Sequence, residues 1–295
     1  MTPVAHTKSA PSGVLVPDID AVTVMGKAEA ENFPVAMRLL PSAKREQLLS
    51  IYGFARFVDD VGDLSTGDRL RELDWVEAEL DRAIAGKATH PIFVSLGETV
   101  AKIGVSREPF VALIEANRQD QRVHRYKSFE ELLAYCRLSA NPVGRLVLAV
   151  FGRHDDASII RSDQICTGLQ LVEHFQDVAE DYHAGRIYLP EEDLERFGVT
   201  KDDLNATEAS PTFRRLMAFE VDRARRLLLD GSPLVRMLTG TAKCAIACFV
   251  GGGLAQLEAI ERANYDVLSA PISATTASVL WRAGAVLCGS IGRPA

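Results

Sequence analysis

The feature that most narrows the possible folds is a pair of acidic stripes set inside apolar helical segments. The first lies in Ile51-Tyr52-Gly53-Phe54-Ala55-Arg56-Phe57-Val58-Asp59-Asp60-Val61-Gly62-Asp63. Asp59 and Asp63 are four residues apart and share one helix face. Tyr52 and Arg56 continue that face, while Phe54, Phe57, Val58 and Val61 are apolar. The second lies in Leu169-Gln170-Leu171-Val172-Glu173-His174-Phe175-Gln176-Asp177-Val178-Ala179-Glu180-Asp181, where Gln170, Glu173, Asp177 and Asp181 step by three, four and four. Carboxylates at helical spacing repel, and an unpaired buried charge is very costly. Either stripe alone fits a solvated acidic face. Two of them, more than a hundred residues apart, predict helices that face each other with cations between.

Mg²⁺ suits that role. It is hard, prefers oxygen, and takes one or two carboxylates together with phosphate oxygens of a substrate. The chemistry implied is Lewis-acid help for a departing diphosphate. An apolar cavity would hold the hydrocarbon and keep water from a carbocation. Basic residues should then reach the diphosphate. Arg56 stands one turn before the first motif, and Arg186 follows the second in Gly185-Arg186-Ile187-Tyr188-Leu189-Pro190. Structural ion pairs with the carboxylates are the alternative for both.

The rest of the chain is helical in period, with no clear alternating strand. Helices are predicted near 24–39, 42–62, 67–85, 91–103, 107–118, 128–152, 156–184, 208–229, 234–265 and 272–290. Leu189-Pro190-Glu191-Glu192 starts a short acidic segment. Asn141-Pro142 predicts a kink, because proline lacks a backbone donor; the kink would expose backbone carbonyls into a cavity, the alternative is a plain helix break, and Asn141 is a candidate substrate contact. No linker divides the composition, so the reading is all-α: a single helical domain over 24–295 behind a flexible tail, 1–23, that holds Pro3, Pro11 and Pro17.

Composition excludes some functions. With 295 residues, 47% hydrophobic, the chain can bury a core and still enclose a cavity. A net charge of −7 argues against nucleic-acid binding but not against a small anionic substrate. Five scattered cysteines without a CxxC pair predict neither a disulfide framework nor a zinc site, and fit a cytoplasmic location. His124 and His174 have no second ligand at zinc spacing, and His174 reads as a packing residue. The most apolar stretch, Cys244–Leu257, contains Gly251-Gly252-Gly253; it is expected to be a core helix or a cavity wall, too short to span a membrane, which takes about 20 residues. Asp222-Arg223-Ala224-Arg225-Arg226 reads as a solvated face. Hydrocarbon chemistry would favour peripheral contact with the inner membrane.

From about Asn32 to about Leu268 the chain resembles the squalene/phytoene synthase family, the head-to-head isoprenyl synthases. The resemblance rests on Tyr52-Gly53-Phe54-Ala55-Arg56 leading into Asp59-Asp60-x-x-Asp63, on Tyr135-Cys136, on Leu169-Gln170 leading into Asp177-Val178-Ala179-Glu180-Asp181, and on Gly185-Arg186-x-Tyr188-x-Pro190. Within the family it is most similar to the hydroxysqualene synthase branch of hopanoid synthesis, through Glu31-Asn32-Phe33-Pro34-Val35-Ala36, Arg118-Gln119-Asp120-Gln121, Ser139 to Leu148, and Gln176-Asp177 where condensing relatives usually carry Arg-Asp. The resemblance implies an isoprenoid synthase bundle with a central cavity. It implies Mg²⁺-dependent conversion of presqualene diphosphate and water to hydroxysqualene and diphosphate, without NADPH, beside the enzymes before and after it in the pathway. Asp59, Asp63 and Asp177 would bind metal, with Asp60, Glu173 and Asp181 in support. Tyr52, Arg56, Tyr135 and Gln170 would contact the diphosphate or substrate, and Tyr52 would share in catalysis. Glu173 stands where the family usually has Asn, and Ser269-Ala270-Pro271-Ile272-Ser273 lacks the arginines often found there. A synthase condensing two prenyl diphosphates, and a non-catalytic assembly or lipid-binding factor, are the competing expectations.

Overall fold

A computed structural model of the protein describes residues 16–30 and 40–290. Among these residues there are fifteen helices and no strand; the one extended contact is a parallel bridge between Arg125 and Ile187. The expected tail falls outside the described residues from 1 to 15, as do 31–39 with the Glu31–Ala36 motif. The first helix, α1, is Ala21–Ala30.

The first half of the bundle is α2 (Ser42–Leu64), α3 (Arg69–Ile84), α4 (Pro91–Ile103) and α5 (Glu108–Asp120). Their boundaries follow from local chemistry. Asp68 caps α3 by accepting from the Arg71 amide, Pro91 occupies the first turn of α4, and Gly104 ends α4 at φ 64°. Phe54 of α2 meets Phe93 and Phe110 edge-on at 5.7 and 5.3 Å, contacts worth about 0.5–1.5 kcal/mol each beyond burial. At 100° per residue this leaves the Asp59–Asp63 face on the other side of α2.

The second half differs from expectation in several places. The predicted helix 128–152 is two helices, α6 (Phe129–Ser139) and α7 (Asn141–Val150), divided at Ala140 before Pro142. The predicted helix 156–184 is also two, α8 (Asp156–Gln176) and α9 (Val178–His183), divided at Asp177, whose ψ of 18° is off the helical value. The hydrogen bonds from Asp177 N to Glu173 O (3.0 Å) and Asp181 N to Asp177 O (2.8 Å) carry the helical advance across the break, so the acidic spacing survives. The acidic segment after Pro190 forms α10 (Glu191–Phe197) and α11 (Lys201–Leu204), too short for periodicity to reveal. The chain ends in α12 (Pro211–Gly231), α13 (Leu234–Met237), α14 (Gly240–Arg262) and α15 (Thr276–Cys288).

Helix α14 corrects the length expected for the apolar stretch. At 23 residues it is long and apolar enough to cross a membrane by composition, because the helix extends past the apolar run at both ends. It packs as a core helix against α8, α12, α13 and α15, and supplies none of the residues lining the aspartate cavity described below. Its glycines serve helix crossings: a Cβ on Gly251 would fall 2.4 Å from the Ala283 amide nitrogen, and one on Gly253 2.8 Å from Leu169.

A buried polar cluster ties α10 to α12. Arg223 Nη1 donates to Asp193 Oδ2 at 2.8 Å and to Glu220 Oε2 at 3.2 Å, and its guanidinium lies 3.9 Å from the centroid of Phe129. Burial pushes the Glu220 carboxyl up to about 8, against Arg223 and with help from Asp193. Its folded value therefore exceeds its ordinary 4.5. The protonated carboxyl stabilises the fold fully below that ordinary value, and this is lost as pH rises through about 8. Glu220→Gln is expected to flatten the decline in stability between these pH values, an effect on the order of a few kcal/mol, read from urea midpoints at pH 5, 6.5 and 8. Parallel curves for variant and wild type would refute the assignment.

Candidate active site

Both acidic stripes open into one cavity of about 280 Å³. Asp59 and Asp63 come from α2, Asn117 and Asp120 from α5, and Tyr135 and Ser139 from α6. Gln170, Glu173 and His174 come from α8, with Asp177 and Asp181 at and beyond its break. Arg186 and Tyr188 complete it from the loop after α9.

The first motif is seated by contacts with α5. Asn117 Nδ2 donates to Asp59 Oδ1 at 2.9 Å and to Leu113 O at 3.2 Å. Gln121 Nε2 donates to Gly62 O at 3.0 Å. Gly62 permits this approach, since a Cβ there would lie 2.2 Å from Asn117 Oδ1. Burial pushes the Asp59 carboxyl up to about 6, opposed by the Asn117 hydrogen bond and reinforced by the charge of Asp63. Asp59 thus opens onto the cavity while being surrounded by protein.

Across the cavity, burial and the neighbouring Asp177 push Asp181 up to about 7. Burial and Glu180 raise Asp177. Burial also pushes Asp120 up to about 6 against the Tyr135 hydrogen bond and the Arg186 charge. Arg186 donates to Asp63 Oδ1 at 2.7 Å across the two halves of the site; burial works against its charge, and the hydrogen bond it donates to Asp63 outweighs that, so the guanidinium stays ionised. Gly185 at φ 83° makes the turn that aims Arg186 inward. The loop is pinned by Arg186 N to Asp181 O (2.8 Å) and Ile187 N to His124 O (2.8 Å).

The polar wall meets an aromatic one. His174 and Tyr188 stack with centroids 3.7 Å apart, and Tyr135 lies 6.2 and 5.8 Å from them. Burial and Arg186 push His174 down to about 3, so it is neutral. Its Nε2 lies 3.3 Å from Gln170 Nε2.

The sequence-derived candidates thus divide. Asp59, Asp63, Tyr135, Gln170, Glu173, Asp177, Asp181 and Arg186 are brought together, whereas Tyr52, Arg56, Asp60 and Asn141 are not among the lining residues. Asp60, grouped with the metal ligands on sequence, is 4% exposed at its side chain and paired with Arg56 at 3.0 Å; one residue further around the helix is a rotation of about 100°. Asn141 is buried in the α6–α7 break, where its Oδ1 accepts from Thr167 Oγ1 at 2.9 Å. The arginine-free segment after Leu268 lies beside Asp266, which accepts from Arg214 at 2.9 Å. Sequence reasoning assigned no role to Asn117, Asp120, Tyr188 or His174 in the site. The three-residue step from Asn117 to Asp120 on a helix carrying Phe110, Leu113 and Ile114 was the available signal.

Among the described residues no three His, Cys, Asp or Glu side chains converge closely enough to hold a metal unaided. The donors are nevertheless all oxygen, and the carboxylates repel. That set fits a hard divalent cation sharing few carboxylates and completing its shell with phosphate oxygens.

Comparison with known proteins places these features in context. Residues 27–279 match a family model described as squalene/phytoene synthase. A hydroxysqualene synthase of Rhodopseudomonas palustris is 36% identical over 208 residues, 69% of this chain and 70% of that protein. A phytoene synthase of Arthrospira platensis is 31% identical over 255 residues, 81% of this chain and 82% of that protein. The crystal structure of squalene synthase HpnC from Alicyclobacillus acidocaldarius superposes with a TM-score of 0.78 at 44% identity, covering 83% of this chain and 94% of that one.

Proposed function

The chain belongs to the squalene/phytoene synthase family of head-to-head isoprenoid synthases, and from that premise we propose that it converts presqualene diphosphate and water to hydroxysqualene and diphosphate with Mg²⁺. The observation that carries this reading is the charge of the cavity. Among the described residues six carboxylates line it, Asp59, Asp63, Asp120, Glu173, Asp177 and Asp181, against one guanidinium, Arg186. That set suits a single diphosphate bridged by divalent cations. A condensing synthase must hold two diphosphates, which calls for more cationic side chains. The similarity to hydroxysqualene synthases supports the same choice.

Asp59 and Asp63 on one wall, and Asp177 and Asp181 on the other, would hold Mg²⁺, with Glu173 beside them. When bound, the ion would supply Lewis-acid stabilisation of the departing diphosphate. Arg186 binds and orients the diphosphate oxygens. Tyr135, Tyr188 and His174 pack together as an aromatic wall that excludes bulk water. Asn117 fixes the Asp59 carboxylate. Asn117→Ala is expected to raise the Mg²⁺ concentration needed for half-maximal rate about 10–100-fold, as loss of a ligand-orienting residue does; an unchanged Mg²⁺ titration would exclude that role. The enzyme would act in the cytoplasm, in peripheral contact with the inner membrane that receives its product.

The test is incubation of purified protein with Mg²⁺ and either presqualene diphosphate or farnesyl diphosphate, without NADPH, followed by identification of the lipid. Hydroxysqualene is expected from the first and nothing from the second. A new diphosphate from farnesyl diphosphate alone would overturn the reading in favour of condensation. No turnover of either by folded protein would overturn it in favour of a non-catalytic lipid-binding factor.

A further inference from the structure

The last helix, α15, carries its polarity unlike the rest of the surface. From Val267 to Ser290 the single charged residue is Arg282, in a chain that is 25% charged. Arg282 is turned inward to an ion pair with Glu258 of α14. Ala283 and Val286 are buried, and a Cβ on Gly251 of α14 would press on the Ala283 backbone, so this side of α15 is closed by α14. The other side holds Ala277, Leu280, Trp281, Gly284 and Cys288, which fall within about 100° of the helix circumference. Trp281 is 75% exposed and Leu280 55%. A Cβ on Gly284, one turn from Trp281, would meet open space, so nothing shields the indole there. Apolar residues scattered singly over a surface are ordinary, whereas neighbouring ones on an uncharged face mark an interaction site.

We propose that this face of α15 is where the protein lies on a lipid bilayer, with Trp281 and Leu280 inserted at the boundary of headgroups and acyl chains. The proposal rests on the reading above of a hydrocarbon substrate and product, which come from and return to a lipid phase. The helix is apolar, but its 13 residues are too few to span a membrane, which takes about 20. Lying in the interface suits it, since tryptophan is enriched at that level. A free interfacial helix needs a polar face; here α14 takes that place by covering the inner side and receiving the Arg282 charge on Glu258. Although the whole chain carries −7, the segment from Val267 to Ser290 has no carboxylate to repel lipid phosphates. Arg236 is exposed and makes no ion pair among the described residues. Its guanidinium stands at the end of α15, where a Cβ on Gly289 would lie 3.6 Å from it, and a cation at that place complements phosphate headgroups. A second copy of the chain is the poorer occupant. A stable dimer buries about 800 Å² per partner, and even a whole tryptophan carries about 250 Å², so Trp281 and Leu280 fall well short.

The experiment uses the full chain and vesicles of phosphatidylcholine, alone or with one third phosphatidylglycerol, with no substrate present. Flotation at increasing lipid concentration gives the partition. Wild type is expected to float with both. The double variant Leu280→Ser with Trp281→Ser should bind both about 100-fold more weakly or less, with wild-type helical content and wild-type turnover in detergent, since neither residue lines the aspartate cavity. Arg236→Ala should weaken binding to the anionic vesicles alone, by about 5-fold. The chain has two tryptophans, Trp75 and Trp281, so Trp75→Phe leaves Trp281 as the sole reporter. Its emission should shift to the blue on vesicles and be quenched by brominated acyl chains. Wild type that stays in solution, a double variant that floats as well as wild type, or Trp281 emission unmoved by vesicles overturns the proposal. A wild-type dimer that the double variant converts to monomer overturns it in favour of a second copy as the occupant. Hydroxysqualene formed in detergent by protein that binds no vesicles defeats only this proposal; vesicle binding through α15 without hydroxysqualene formation defeats only the reading of the reaction.

Discussion

Asp177→Ala and, separately, Asp59→Ala are expected to abolish turnover while leaving helical content unchanged. Each carboxylate faces the other across one cavity, and the cation they would share is assigned several kcal/mol of charge stabilisation. At 1.36 kcal/mol per decade, that is about 10³-fold or more in rate. Misfolding is separated from lost chemistry by Asp59→Asn. The ionised Asp59 is disfavoured in the fold, because burial and Asp63 hold its carboxyl at about 6 against an ordinary 3.8. Its stabilising contribution is complete below that ordinary value and lost as pH rises through about 6. In metal-free buffer at pH 7.5, Asp59→Asn should therefore unfold at an equal or higher urea concentration than wild type, while remaining inactive with Mg²⁺. Such opposed effects on stability and activity are characteristic of functional sites. Full activity in either alanine variant would remove the metal assignment.

Arg186→Ala should have the next largest effect. Arg186 reaches from the loop after α9 to Asp63 on α2, so its loss removes both a diphosphate donor and the neutralising charge among the carboxylates. Removing one preorganised donor to a developing anion costs about 2.7–4 kcal/mol, or about 100- to 1,000-fold in rate. The Arg186 charge lowers the proton affinity of Asp181 and Asp120. Without it both hold their protons to higher pH, so the acid limb of the pH–rate profile should move upward. Arg186→Lys should restore the position of that limb better than the rate, since an ammonium supplies the charge but not the planar fork. An acid limb that stays in place in Arg186→Ala would show that those carboxylates do not govern the rate.

The helical character of the chain and the acidic face of each motif were legible without the structure, because both follow from the 3.6-residue period. The predicted 42–62 and the observed Ser42–Leu64 nearly coincide, since apolar spacing and Pro41 are local signals. The break at Asp177 was not legible: no proline or glycine marks it, and the carboxylate spacing on either side is that of an unbroken helix. The same limit explains Asp60. Its neighbours in sequence suggested a metal ligand, but its rotation about the helix and the reach of Arg56 placed it in an ion pair.

The paired aspartate stripes show where the boundary between the two kinds of information falls. The sequence by itself determined that Asp59 and Asp63 share a face, and that Gln170, Glu173, Asp177 and Asp181 share another, because rise and twist per residue are properties of the backbone. Only the tertiary structure decided that the two faces close on one cavity, that α5 brings Asn117 and Asp120 into it, and that Gly185 turns Arg186 across to Asp63. Those juxtapositions depend on contacts between helices far apart in the chain, such as Asn117 settling over Gly62, which no local periodicity encodes.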